Sequence, residues 1–203
     1  MATYHCSVKI GKAGKGAAHA AYIAREGKYA RLLESPKAER LEHVEHLNMP
    51  AWAQSDPMKF WQAGDKYERK NGAVYREFEL ALPNELTPEQ SVELVREFVQ
   101  QEIGDKHACT WAIHNGNAAL DRQKRNRNAH IMFSERLRDG IDRDPEHYFK
   151  RANKRQPECG GCLKANFSAT HKERKAALVE LRARWADSCL ALTRRWSTAP
   201  WMP

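Results

Sequence analysis

Three short stretches carry side chains suited to holding a cation or moving a proton. They are Tyr75-Arg76-Glu77-Phe78-Glu79-Leu80-Ala81-Leu82-Pro83, Trp111-Ala112-Ile113-His114 and Asn128-Ala129-His130-Ile131-Met132-Phe133. All read as strands. Side chains alternate along a strand, so Glu77 and Glu79 share one face and Phe78, Leu80 and Leu82 the other. Asn128 and His130 share a face with Ala129 between them. Carboxylates and imidazoles on one face of a small sheet make a candidate divalent-metal site.

A second kind of chemistry sits upstream. Tyr22 lies on an alanine-rich stretch, Ala17 to Leu33, that reads as one helix. On position alone Tyr22 is a packed aromatic. Arg25, Lys28 and Arg31 follow it at spacings that place them along one flank. Cations beside a phenol favour its charged form, which suits a nucleophile. The preceding loop, Gly11-Lys12-Ala13-Gly14-Lys15-Gly16, is not a phosphate-binding P-loop, because its glycine spacing and ending are wrong. Its amides, with Lys12 and Lys15, can still lie along a phosphate backbone. A tyrosine can attack a phosphodiester and hold the 5′ phosphate covalently, a divalent ion can polarise that phosphate, and basic residues can hold the strand.

The elements that must position these groups follow in order. Thr3 to Ile10 reads as a first strand. Ala38 to Leu47 is a short charged segment with His43 and His46 at helical spacing, read as solvent-facing. Pro57 to Lys70 is a helix capped by Asp56. Ala73 to Leu82 is the acidic strand. Thr87, Pro88 and Gln90 open a helix with a capping box, and it stops at Gly104. Ala108–His114 and Ala129–Arg136 should pair as an antiparallel hairpin that brings His114 near His130. Between them, Asn115 to Asn128 is a loop with a basic run, Arg122 to Arg127. It is either a solvated loop or a phosphate contact through Lys124, Arg125 and Arg127. Pro145 to Asn153 reads as a helix, Lys154 to Lys164 as a basic loop, Ala169 to Trp196 as a long helix and Ser197 to Pro203 as a frayed tail. The expected fold is α+β: an antiparallel central sheet of about five strands, with helices on one side. It forms a single domain over 1–203, of which 165–203 is a C-terminal helical extension.

The 203 residues carry a net charge of +8, which favours a polyanionic partner, nucleic acid first. No apolar run approaches the ~20 residues of a membrane helix. The N-terminus lacks a signal-peptide core, so a cytoplasmic location is expected. The odd count of 5 cysteines argues against a disulfide framework. Cys159 and Cys162, with His171, could begin a zinc site; without a fourth ligand the better reading is incidental thiols.

The chain resembles the MobA/MobL type of plasmid relaxase, within the histidine-hydrophobic-histidine (HUH) single-strand endonucleases. The resemblance rests on Tyr4-His5, on the run from Ala21 to Arg31, on Asn71-Gly72 and on Glu77 to Pro83. It continues through Ala112-Ile113-His114, His130 to Arg136, Asp139-Gly140-Ile141, Phe149-Lys150-Arg151 and Trp185-Ala186-Asp187. It implies a bacterial enzyme of conjugative mobilisation that nicks one strand at a plasmid origin of transfer, stays bound through a tyrosine to the 5′ end and later rejoins the strand. The implied nucleophile is Tyr22, with Tyr29 as runner-up. The implied metal ligands are His114 and His130, with Glu77 or Glu79 orienting a ligand or assisting the ion. The implied cofactor is Mn²⁺ or Mg²⁺. The implied partners are single-stranded origin DNA, relaxosome accessory proteins and a type IV secretion coupling protein. Lys12, Lys15, Arg25, Lys28, Lys124, Arg125 and Arg127 are the expected DNA contacts. Asn128 departs from the family pattern, which has histidine there. It leaves open an Asn-containing metal site, a site completed by a nearby group, or a protein that binds DNA without cutting. A rolling-circle replication or transposition nuclease is the further alternative.

Overall fold

The computed structural model describes residues 5–35, 38–117, 125–165 and 170–197. Tyr4, Lys124 and the tail past Ser197 lie outside them. In chain order the elements are β1 (Cys6–Lys12), α1 (Gly16–Ala24), a 3-10 segment (Gly27–Leu33), β2 (Arg40–Leu47), α2 (Met58–Tyr67), β3 (Ala73–Ala81), α3 (Pro88–Glu102), β4 (His107–Asn117), β5 (Arg125–Leu137), α4 (Pro145–Phe149) and α5 (His171–Ser197). The strands form one antiparallel sheet of five in the order β1-β3-β5-β4-β2.

Helices cover both faces, not one. On the first face, Phe78, Leu80, Trp111, Ile113, Ile131 and Phe133 pack under α3 and α5. Phe98 of α3 meets Trp185 of α5 edge-on at 5.0 Å. On the second face, Tyr75, Ala108, Ala112 and Met132 pack under α1, α2 and α4. The alternation of the strand sequences divides the two cores, because odd and even positions point oppositely. The capping box of α3 is present as expected, with Thr87 Oγ1 accepting from the Gln90 amide at 3.2 Å and Gln90 Oε1 accepting from the Thr87 amide at 2.9 Å.

Several element readings are corrected. Residues 115–117 and 125–128, read as loop, extend the β4–β5 ladder. The charged segment before Leu47 is the edge strand β2. Leu41, Val44 and Leu47 are spaced as on a helix, but a bulge between Leu41 and His43 breaks the strand's period. Leu41 and Val44 therefore share the α1 side while Leu47 packs with the α3 core. His43 and His46 are half-buried. His43 bonds Glu45 at 2.8 Å and His46 bonds Thr110 at 3.0 Å. The Ala17–Leu33 helix stops at Ala24. Arg25 takes a left-handed φ of 57°, Gly27 one of 54°, and the chain continues as the 3-10 segment. The flank of Arg25, Lys28 and Arg31 is never built.

A buried ion pair fastens α4 and the following loop to the sheet. Arg136 donates to Glu68 from Nε at 3.0 Å and from Nη2 at 3.1 Å. Its Nη1 reaches the carbonyls of Lys150 and Cys162, each at 2.7 Å, and Nη2 also donates to the Phe149 carbonyl. Lys164 Nζ adds a second cation 3.3 Å from Glu68. Removing the carboxylate strands the buried Arg136 guanidinium and deprives the half-buried Lys164 of its partner, so Glu68→Ala is expected to lower unfolding free energy by about 3–5 kcal/mol, read from the urea midpoint. A loss under about 1 kcal/mol would show that water reaches the pair.

Candidate active site on the α1 face of the sheet

The register places the expected side chains on one face. Glu79 lies opposite His130, and His114 lies opposite Asn128. On the outer strand Ser7 lies opposite Glu79 and Lys9 opposite Glu77. The β4–β5 hairpin brings the His114 and His130 rings to 5.0 Å, as its pairing predicts.

Glu77 is 1% exposed and its Oε1 accepts the Nδ1–H of His130 at 2.8 Å. The same oxygen lies 3.0 Å from Nε2 of His19, a residue of α1 that sequence reasoning missed. That contact is an ion-pair approach off the hydrogen-bonding line, and Glu77 Oε2 has no hydrogen-bond partner. Burial pushes the Glu77 carboxyl up, but the close contacts and charges of His130 and His19 outweigh it and hold it down at about 2. Glu79 is more open, taking a hydrogen bond from Ser7 at 3.3 Å and an ion pair from Lys9 at 2.5 Å. The Glu79 bond holds the Lys9 ammonium above its usual range against burial, with Glu77 and Tyr22 adding to it.

His114 is fully buried. Its Nε2 donates to the Ile23 carbonyl at 2.7 Å, and Nδ1 faces Arg25 at 3.5 Å and Glu39 at 3.7 Å. Contact with His114 lowers the Glu39 carboxyl, burial opposing and His130 and Arg25 assisting. Asn128 is half-buried beside His130 on the same face. Tyr22 stands edge-on to His114 at 6.2 Å, and Tyr29 is edge-on to Tyr22 at 5.5 Å.

The N-terminus of α1 has no cap of its own. Asp65 of α2 supplies it: its carboxylate accepts from the amides of Gly14 and Gly16 at 2.8 Å and of Ala17 at 2.9 Å. These amides were expected to face phosphate; a carboxylate already occupies them. Lys12, Lys15 and Lys28 are exposed. Arg25 and Arg127, expected as phosphate contacts, are buried instead. Arg25 is 3% exposed, donates to the Tyr22 carbonyl at 2.9 Å and lies over the Tyr22 ring at 4.4 Å. Arg127 is 6% exposed and is held by the Leu86 carbonyl at 2.6 Å and Glu42 at 3.1 Å. Lys124 and the side chain of Arg125 lie outside the described residues.

The donor set is mixed. His130, oriented by a carboxylate, has the arrangement of a metal-bound imidazole, and Glu77 Oε2 is a buried oxygen without a partner. Yet among the described residues no three His, Cys, Asp or Glu side chains are arranged to hold an ion. Asn128 lies opposite His114 on the face that carries His130. Cys159 is exposed while Cys162 is buried under Arg143, whose Nη1 is 3.5 Å from its sulfur.

Glu77 yields a pH prediction. A carboxyl depressed on folding contributes stability above its unfolded value of about 4.3, and that contribution is lost as pH falls towards the folded value. In that acid range imidazoles carry their charge. The urea midpoint of the native chain should fall from about pH 4.5 towards pH 2, and Glu77→Gln should flatten that limb. Equal acid limbs in both proteins would refute the paired carboxylate.

Residues 15–195 match the model of the MobA/MobL family. A 43 kDa relaxation protein of Salmonella typhimurium is 55% identical over 188 residues, which cover 92% of this chain and 49% of that protein. Mobilization protein A of Escherichia coli is 40% identical over 191 residues, 92% of this chain and 25% of that protein. The chain thus spans about half the length of one relative and a quarter of the other. A solved structure described as "Molecular Basis of Vancomycin Resistance Transfer in Staphylococcus aureus" superposes with a TM-score of 0.62 at 21% identity, covering 98% of this chain and 96% of that one. At that identity the likeness shows the fold.

Proposed function

This chain belongs to the MobA/MobL family, and from that premise we propose that it is the strand-cutting part of a conjugative relaxase. It nicks one strand of a plasmid origin of transfer and later rejoins it. The observation that carries the reading is Tyr22, on the helix laid over the paired imidazoles of His114 and His130. In the cutting step the Tyr22 oxygen bonds to phosphorus while the bond from phosphorus to the 3′ oxygen breaks. The phenol loses a proton and the 3′ oxygen gains one. Rejoining is the reverse, so neither step needs an energy source. Lys9, within electrostatic reach of Tyr22, offsets the negative charge gathering between oxygen and phosphorus. Glu77 fixes His130, and Glu79 fixes Lys9. The exposed Lys12, Lys15 and Lys28 supply phosphate contacts at the rim.

His130 and Asn128 would hold a divalent ion, joined by His114 once its Nε2 leaves the Ile23 carbonyl, with Glu77 behind His130. An ion bound there would polarise the scissile phosphate. An amide oxygen in the set suits a hard ion such as Mn²⁺ or Mg²⁺. Asn128→His is expected to tighten Mn²⁺ binding about tenfold, measured by titration calorimetry without DNA. Unchanged affinity would remove position 128 from the ligand set.

The reading is tested by a denaturing gel. Incubation with single-stranded origin DNA and Mn²⁺ should give a covalent protein–DNA adduct that Tyr22→Phe abolishes. Persistent cleavage by Tyr22→Phe would shift the role to another residue, Tyr29 first. Tyr75 is a poor substitute, because burial, with Glu77 and Asp65 near, pushes its hydroxyl up to about 12. Asn128 favours one second reading, a DNA-binding accessory protein of the same fold, and tight binding without any adduct would support it. Replacing Lys12, Lys15 and Lys28 by alanine should flatten the slope of log affinity against log salt by about 2. Relaxosome accessory proteins and a secretion coupling protein are the further partners of this role.

A further inference from the structure

The nucleophile assignment leaves open what sets the plane of the Tyr22 ring. Planar groups are stacked in a column on the α1 face. Gly11 of β1 lies opposite Tyr75, and a Cβ at Gly11 would come within 1.9 Å of the Tyr75 ring. The missing side chain lets Tyr75 lie flat across the edge strand. His19 stacks on Tyr75 with ring centres 5.0 Å apart and planes 7° apart. Tyr22, one helical turn on, stacks on His19 at 6.3 Å and 22°. The Arg25 guanidinium closes the column at 4.4 Å from the Tyr22 ring.

His19 is also gripped at its edge. Its Nε2 lies 3.0 Å from Glu77 Oε1, the oxygen that holds His130. Its side chain is 24% exposed, so it is no solvated helix-surface histidine. One imidazole therefore links the sheet carboxylate, the β3 aromatic and the tyrosine of α1.

We propose that His19 is a positioning residue for Tyr22, setting the plane and height of the phenol over the His114–His130 pair. The proposal rests on Tyr22 being the nucleophile. Attack on phosphorus needs an in-line approach, and a misplacement of about 1 Å costs on the order of a hundredfold in rate. Without the imidazole, the Tyr22 ring loses its neighbour on the Tyr75 side and can tilt towards it. The role is one of orientation, because the His19 ring meets Tyr22 face to face while Glu77 and Tyr75 hold its edge and its other face.

The test uses the full chain, origin oligonucleotide and Mn²⁺, with melting temperature measured beside each rate. His19→Ala is expected to lower kcat about ten- to a hundredfold with KM held within about twofold. Tyr75→Leu should lower kcat in the same way, and Tyr75→Phe, which keeps the ring, should restore it. A normal kcat in His19→Ala while Tyr22→Phe is inactive would overturn the proposal. So would a raised KM with unchanged kcat, which would place His19 on the DNA. Cleavage retained by Tyr22→Phe would remove the nucleophile reading and the proposal with it. A readout independent of cleavage is the spectrum of ¹³C-labelled tyrosine in the protein alone. The Tyr22 ring signals, assigned through Tyr22→Phe, should shift and broaden in His19→Ala. Unmoved signals would overturn the proposal even in a chain that never cuts.

Discussion

A carboxylate with almost no exposure must find cations or lose its charge, and Glu77 finds two imidazoles from different elements. His130 comes from β5 and His19 from α1. Burying a charge is costly unless it is paired, so the three groups are mutually dependent. This fixes the helix that carries Tyr22 against the strand that carries His130. The aromatic column and the contact of the Ile23 carbonyl with His114 follow from that docking. Glu79 sits on the same strand face with a different task, since it is open enough to anchor a lysine and is not a second centre.

Much of the site was legible in the strands. Alternation put Glu77 with Glu79, and Asn128 with His130, on single faces, and the succession of the two strands in the chain implied the pairing that joins His114 to His130. A strand sequence determines its faces directly, because its period is two. The helix was less informative. His19 sits among alanines with nothing local to mark it, and its partners Glu77 and Tyr75 are far along the chain. Only the docking of α1 on β3 gives it a role.

Two errors had local causes. The segment to Leu47 was read from its charges and the helical spacing of His43 and His46, but it is an edge strand whose period is broken by a bulge after Leu41. The α1 helix was extended through Gly27, although a glycine just past an alanine run is a common helix end. The left-handed turn at Arg25 is what folds its guanidinium back over Tyr22, so the misplaced boundary also hid the surroundings of Arg25. The burial of Arg127 was hidden for another reason. A cation in a basic run is usually solvated, and only the tertiary partners Leu86 and Glu42 show otherwise.

The Asp65 cap bears on how the chain folds. The amides it binds lie 48 to 51 residues away in sequence. A helix of 9 residues without its own cap is too short to persist alone in water. The helix bearing Tyr22 therefore depends on a long-range contact whose loop-closure entropy must be met first. A growing chain has no ordered tyrosine helix until α2 has emerged and docked, so the groups of the site come together late, as a consequence of completed folding.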